Sequence, residues 1–442
     1  MDLADFGATQ LAQMIKDGEI SSLELIDACI TRIDEKEDEI GAWTHFDRDF
    51  ARKQAESRDA LRATGAPCGP LHGIPVGVKD IFDTADFLTE NGTLISAGRM
   101  PMEDCTVVSL LKAAGAVIMG KTVTTELAVY SPGKTRNPHD LERTPGGSSS
   151  GSAAAVAAGM VPLAIGSQTN GSVIRPASFC GVVGFKPTHG RISRAGVLPL
   201  SRILDHVGVF SRTLEDAALV AECLMAFDPG DPDTRPSAAP RMSEILEQKP
   251  PAEPRFAFVK SPVWDRADAD VQAAFEELHE FLGDHCVEVT LPPEFDDAVS
   301  NLKNIMYADL ARFLSGYINR GKDQLSGTLR EMIAEGEGIL AVDYNNSVDL
   351  IGPLSDWIQS LCENYDAILT PATCGVAPTG TATGDPVFCT TWSYLGVPAL
   401  TLPLMEGENG MPLGVQLVGP RGDDARLLRS ARWLANKVLN AD

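Results

Sequence analysis

The chain has 442 residues, 44% of them hydrophobic, which is enough to bury a large core. Length alone suggests two or three domains at ~100–200 residues each, a weak guide because large α/β enzymes often exceed it in one unit. With 61 acidic against 37 basic residues the formal charge is −24, which argues against nucleic acid as a direct ligand unless a basic partner protein intervenes.

Nine cysteines are scattered without a CxxC pair, and no histidine stands at metal-ligand spacing. The pattern implies neither a disulfide scaffold nor a metal site. Met1-Asp2-Leu3-Ala4-Asp5 carries acid where a signal peptide needs base, and no apolar run approaches ~18 residues. The expectation is a reducing, cytoplasmic protein with no membrane contact.

In chain order, Ser21 to Ile40 places Leu25, Ile26, Cys29, Ile30 and Ile33 at helical spacing behind a serine suited to cap them. Leu71–Asp80 reads as a turn and a short strand, Val76-Gly77-Val78, ending on Lys79. Val107–Lys121 reads as helix, glycine turn and strand. Residues 144–172 are the richest stretch: a Gly/Ser loop, an alanine helix, the apolar run Val161–Ile165 and a second Gly-containing loop. The Pro-rich segment 228–254 is the best surface connector, a possible boundary between two lobes. Beyond it, Phe256–Lys260, Asp268–Leu282 and Cys286–Leu291 read as strand, helix, strand. Residues 294–365 are mixed helical, and Ala367–Leu369 and Ala399–Leu404 read as core strands. No repeat interrupts this, so one α/β body is expected.

The loop Gly146-Gly147-Ser148-Ser149-Ser150-Gly151-Ser152 admits three readings. A phosphate cradle would need a GK[ST] ending that it lacks. A GxSxG elbow would make Ser149 the nucleophile, but an elbow follows a core strand and the lead-in here is His139-Asp140-Leu141-Glu142-Arg143-Thr144. The third reading pairs this loop with Gly166–Ser172 and with Lys79. A serine nucleophile needs a base within reach, and few histidines lie nearby. Lysine titrates near ~10.4 when free, so it serves as base only where burial keeps it neutral.

These segments resemble the amidase signature family. The motifs are Gly73–Asp80 (GIPVGVKD), Gly146–Gly159 (GGSSSGSAAAVAAG) and Gln168–Ala177 (QTNGSVIRPA), joined by Gly184–Thr188, Leu204–Gly208, Gly396–Ala399 and Pro412–Gln416. Similarity covers most of the chain and is weakest in 228–365. The resemblance implies a single α/β/α domain over 1–442 with a large mixed sheet flanked by helices. Residues 65–215 would carry the catalytic residues and 294–365 a variable cover of the pocket. It also implies an amidase that needs no cofactor or metal, acts on a small amide, carbamate or ester, and is commonly a homodimer.

What the resemblance implies for single residues follows its motifs. Ser172 is the nucleophile; Ser148, on a cis peptide, relays its proton to the base Lys79. The backbone N–H groups of Thr169, Asn170, Gly171 and Ser172 form an oxyanion hole, as consecutive amides in a tight turn can. Asn170 stands where glycine is common, and its tolerance of left-handed angles would preserve the turn while its side chain narrows the acyl pocket. Gln168 stands where aspartate is common, a change shared with malonamidase-like members that favours acidic acyl groups. Arg175 either grips a substrate carboxylate as in those members or belongs to a structural ion pair, and Ala128 and Tyr130 occupy a stretch that approaches substrate in the family. Ser149, Ser150 and Lys186 are expected to be structural. Trp392 and Tyr394 are expected to fill core, and Cys180 and Cys389 to be apolar fillers. The rival within the family is a partner-dependent protein like the glutamyl-tRNA amidotransferase A chain, which delivers ammonia rather than releasing it.

Overall fold

The structure is a computed structural model, and it describes residues 2–238 and 240–440. Its strands are β1 (Trp43–Phe46), β2 (Pro75–Lys79), β3 (Val117–Thr122), β4 (Leu163–Gln168), β5 (Val183–Lys186), β6 (His206–Ser211), β7 (Phe256–Phe258), β8 (Cys286–Glu288), β9 (Ala367–Pro371), β10 (Ala399–Glu406) and β11 (Pro412–Val418). They form one sheet in the order β1-β3-β2-β4-β6-β5-β10-β11-β9-β7-β8. The sheet is mixed: β3, β2 and β4 run parallel, as do β9, β7 and β8, while antiparallel pairs link and flank the two groups. Every residue of β2 and of β3 is buried, as expected of parallel strands covered on both faces by helices.

The expected helix at the N-terminal end spans Ser22–Ile40, and Ser21 closes a capping box with Glu24. The alanine-rich segment forms the helix Ser150–Ala157. Because β7 bonds to β9, the sheet continues across the Pro-rich segment and the two groups of strands share one core. That segment holds a short helix, Met242–Glu247. Residues 294–365 contain five α-helices, Ala298–Phe313, Ser315–Gly321, Gly327–Glu337, Ala341–Asp349 and Ile351–Leu361.

Some elements carried no clear period. β6 reads HVGVFS, with a glycine in the middle and a histidine at its start, yet all six residues are buried. The helix Val387–Tyr394 is also buried throughout, so it shows no amphipathic stripe. Predicted strands Phe256–Lys260 and Cys286–Leu291 are three residues each, and β8, at the sheet edge, pairs only with β7. Among the described residues no helix is long and apolar enough to cross a membrane.

Candidate active site

Parallel β2 and β4 are in register at Val78 and Ile165, so their carboxyl ends emerge side by side. That is where open α/β sheets place ligands. β2 ends on Lys79 and β4 runs out through Ser167 and Gln168 into the turn 169–172. The third component, the loop 146–149, comes from the approach to the helix Ser150–Ala157. Gly166 lets it dock: a Cβ there would lie 2.6 Å from Ser149 Oγ.

Lys79 has no solvent exposure. Its Nζ donates to Ser148 Oγ at 2.7 Å and to Ser167 Oγ at 2.9 Å. Burial holds this amine well below the ordinary lysine range, and the Asp205 carboxylate pulls the other way. The Gly147–Ser148 peptide is cis. Ser167 was not singled out from the sequence; a serine inside an apolar strand shows its partner only once β2 is placed beside it.

Ser172 is half-buried in the turn ahead of the helix Ile174–Cys180. Among the described residues its hydroxyl takes no hydrogen-bond partner, so the Lys79–Ser148 bond is formed here and a Ser148–Ser172 bond is not. Ser149 is buried and braced: its Oγ donates to the Ser167 carbonyl at 3.2 Å and accepts the Ser167 N–H at 3.3 Å. Ser150 is buried as well. An elbow nucleophile stands free at the top of a strand, and Ser149 does not.

The turn is held from several sides. Thr169 Oγ1 donates to Asp205 Oδ1 at 2.6 Å, the Ser393 hydroxyl donates to the Asn170 carbonyl, and Thr390 Oγ1 donates to Asn170 Oδ1 at 2.8 Å. The expectation that residue 170 exploits left-handed backbone is corrected: neither Asn170 nor Gly171 has a positive φ. The anchors from the helix Val387–Tyr394 fix the turn instead. Gln168, expected to meet substrate, has its carboxamide engaged elsewhere. Its Oε1 accepts the N–H groups of Val173 (2.7 Å) and Ile174 (3.0 Å), and its Nε2 donates to Ser393 Oγ (2.9 Å). It thereby caps the helix that follows Ser172.

A cavity of about 200 Å³ opens beside Asn170, walled by Tyr130, Thr390, Asp385 and, from the helix Ala298–Phe313, Leu302, Met306 and Tyr307. Asn170 Nδ2 reaches the Tyr130 hydroxyl at 3.4 Å. Ala128 is buried with a positive φ of 57° and is not one of the walls. Arg175 is 1% exposed and makes one bond, Nη2 to the Gly147 carbonyl at 2.7 Å. Its Nε and Nη1 are buried without a protein partner, and the expected alternative of an ion pair is not formed.

His189 and His206 stack edge to face, and burial pushes His189 down to about 4 and His206 well below its ordinary value. Both are neutral near pH 7 and neither touches Lys79 or the serines. Lys186 donates to the Val397 carbonyl at 2.5 Å, and burial lowers it to about 7. Trp392 and Tyr394 are 1% exposed and belong to the core. Burial pushes the Cys389 thiol to about 12 and Cys180 higher still, which leaves no thiolate.

A mixed sheet between helices, with a buried lysine delivered to paired serine loops at its parallel strand ends, is the architecture of the amidase signature enzymes. The chain belongs to that family: the family model Amidase matches residues 24–428. Its relatives include the A chain of glutamyl-tRNA(Gln) amidotransferase from Roseiflexus castenholzii, 36% identical over 95% of this chain and 93% of the relative. The corresponding chain from Salinispora arenicola is 33% identical over 99% and 98%. Among solved structures, the peptide amidase of Stenotrophomonas maltophilia superposes with a TM-score of 0.87 at 28% identity, covering 99% of this chain and 97% of that one. A chain from a study of a vestigial protein complex and the origins of an s-triazine catabolic enzyme superposes at 0.91, with 30% identity and 98% of both chains covered.

Proposed function

We propose that the protein is a serine amidohydrolase that converts a small amide and water to a carboxylate and ammonia or an amine. The observation that carries this reading is the buried Lys79 amine, held at 2.7 Å from Ser148 Oγ with burial favouring its neutral form. Ser172 Oγ attacks the carbonyl carbon, and its proton passes through Ser148 to Lys79 Nζ. The N–H groups of residues 169–172 stabilise the oxyanion. The C–N bond then breaks as Lys79 returns the proton through Ser148 to the leaving nitrogen. Water repeats the cycle on the acyl-enzyme, releasing the carboxylate and restoring Ser172.

In this reading residues 65–215 hold the chemistry and 294–365 cover the pocket. Arg175, with Nε and Nη1 buried without a protein partner, donates to a carboxylate on the substrate, the preference expected of a malonamidase-like enzyme. Tyr130 and Asn170 shape the acyl side of the cavity.

The test uses the chain purified alone, with ammonia release followed over a panel of amides, carbamates and esters. A fluorophosphonate probe adduct is mapped by mass spectrometry. Turnover of amides with the adduct on Ser172 is expected; esters or carbamates turned over in preference would reassign the substrate class. A second reading, a component that passes ammonia to a partner protein, is favoured by one observation: the relatives sharing about a third of its residues over nearly the full length are amidotransferase A chains. Ammonia release that appears only when a partner protein is added would select it.

A further inference from the structure

Asp205 has no place in the reaction just described, yet it is bonded to the turn that would bind the oxyanion. Oδ1 accepts the Thr169 hydroxyl at 2.6 Å, and Oδ2 accepts the N–H groups of Leu200 (2.8 Å) and Ser201 (2.9 Å). Ser201 Oγ in turn donates to Asp309 Oδ2 at 2.6 Å, and the Tyr344 hydroxyl donates to Asp309 Oδ1 at 3.2 Å. Asp309 lies on the helix Ala298–Phe313, whose Leu302, Met306 and Tyr307 wall the cavity beside Asn170. A line of hydrogen bonds therefore runs from the turn at 169–172 to the helix that covers the pocket.

We propose that Asp205 is a positioning residue that locks the oxyanion turn to the cover helix. The inference rests on the functional reading above. Both carboxylate oxygens are used, so the group cannot rotate away from Thr169 without giving up two backbone N–H bonds. Burial raises the Asp205 pKa, its hydrogen bonds from Thr169, Ser201 and Leu200 offset part of that rise, and in its ionised form it favours the ammonium form of Lys79 against burial. The other charged or titratable groups around it do not replace it. Arg194 is committed to Asp231 at 2.8 Å and Asp233 at 2.5 Å and reaches only the Asp205 main-chain carbonyl, at 3.3 Å. His206 is held neutral by burial.

A cavity of about 210 Å³, walled in part by Ser167, Thr169, Asp205 and Phe313, lies along this line. It provides room for the turn to shift once the Thr169 bond is cut. A displacement of an ångström in oxyanion donors lowers a rate by about 100-fold.

The experiment measures covalent labelling of Ser172 by a fluorophosphonate, separating the maximal rate of inactivation from the apparent affinity. Asp205→Asn and Thr169→Val are each expected to lower the maximal rate about 100-fold, with the apparent affinity nearly constant. Thr169→Ser keeps the hydroxyl and is expected to recover most of the loss. The two readouts then separate the roles. In Asp205→Asn the rise of the rate with pH moves to lower pH, because Lys79 loses the charge that favours its protonated form; in Thr169→Val it does not move. The double variant costs little more than Asp205→Asn alone, as members of one unit do. If Asp205→Asn does not fold, the Thr169 pair decides: Thr169→Val labelling at the wild-type rate overturns the proposal. So does a folded Asp205→Asn with an unchanged rate and pH profile. Failure of the wild-type protein to label at Ser172 would instead overturn the functional reading.

Discussion

The ends of β2 and β3 each bury a lysine, and the two live in different chemistry. Lys121 Nζ donates to the Phe82 carbonyl (2.6 Å) and Thr89 Oγ1 (2.7 Å) and lies 3.6 Å from Asp80 Oδ1. Burial lowers it only to about 8, because Asp80 offsets part of the desolvation. Lys79 has no carboxylate within ion-pair distance among the described residues, only two hydroxyls. Asp80, its sequence neighbour, faces the other lysine because successive strand residues point to opposite faces. Equal burial thus leaves Lys121 with a counter-charge and Lys79 without one at contact distance, which favours the cation at the first strand end and the neutral amine at the second.

The comparison breaks first if Lys79 is dispensable. Lys79→Ala is expected to lower turnover by about 10³-fold or more, and adding Ser148→Ala to cost little further, since the pair acts as one relay. Stability should change less than at Lys121, because no carboxylate is orphaned. Activity of the wild-type protein should rise with pH through the lowered Lys79 value, as the neutral amine becomes populated. A profile that instead follows a histidine, and vanishes on replacing His189 or His206, would refute the assignment. Lys121→Met is the converse case: it strands the Asp80 carboxylate and is expected to cost about 3 kcal/mol of folding stability in denaturant titration. A Lys121→Met protein as stable as wild type would mean that Asp80 does not need its counter-ion.

Arg175 extends the comparison to a third buried cation. A guanidinium keeps its proton even when buried, and Arg175 lacks the carboxylate that Lys121 has. Two of its nitrogens are buried with no partner among the described residues. Arg175→Ala is expected to raise KM for carboxylate-bearing amides by about tenfold or more, with neutral amides much less affected. Equal losses on both would assign the guanidinium to bracing Gly147.

Much of this site was legible before folding, because its residues cluster in two short Gly/Ser loops and one strand end. Lys79, Ser148 and Ser172 were named through the motifs that resemble the amidase signature family, and the structure brings the first two into contact. Asp205 and Ser167 lay inside the segments Leu204–Gly208 and Gly166–Ser172 without being singled out, because their contacts appear only when β4, β6 and the loop 200–205 are laid beside β2. Gln168 drew notice as a replacement for the family's common aspartate; its backbone partners were not legible, and the structure shows the N–H groups of Val173 and Ile174 bonded to its carbonyl. The sheet's parallel strands announced themselves as apolar runs, while β6 and the helix Val387–Tyr394, buried on all sides, offered no period to read.

The smallest predicted effect separates hydroxyls that touch a lysine from those that brace a loop. Ser148 and Ser149 are adjacent in sequence, yet only Ser148 contacts Lys79, while Ser149 bonds the Ser167 backbone in both directions. Removing the Ser149 hydroxyl loses two long bonds of 3.2 and 3.3 Å. It leaves one buried N–H less well satisfied, a cost of about 1–2 kcal/mol in stability. The relay itself is untouched, so turnover of Ser149→Ala should stay within about tenfold of wild type, a loss under roughly 1.4 kcal/mol in the barrier. Because Ser149 also fixes Ser167, and Ser167 holds Lys79, a residual loss should appear in kcat rather than in KM. Mapping the fluorophosphonate adduct gives the decisive contrast: Ser149→Ala should still label on Ser172, and Ser172→Ala should not label at all. A label on Ser149 that survives Ser172→Ala would move the nucleophile to the first loop and leave Lys79 serving a different serine.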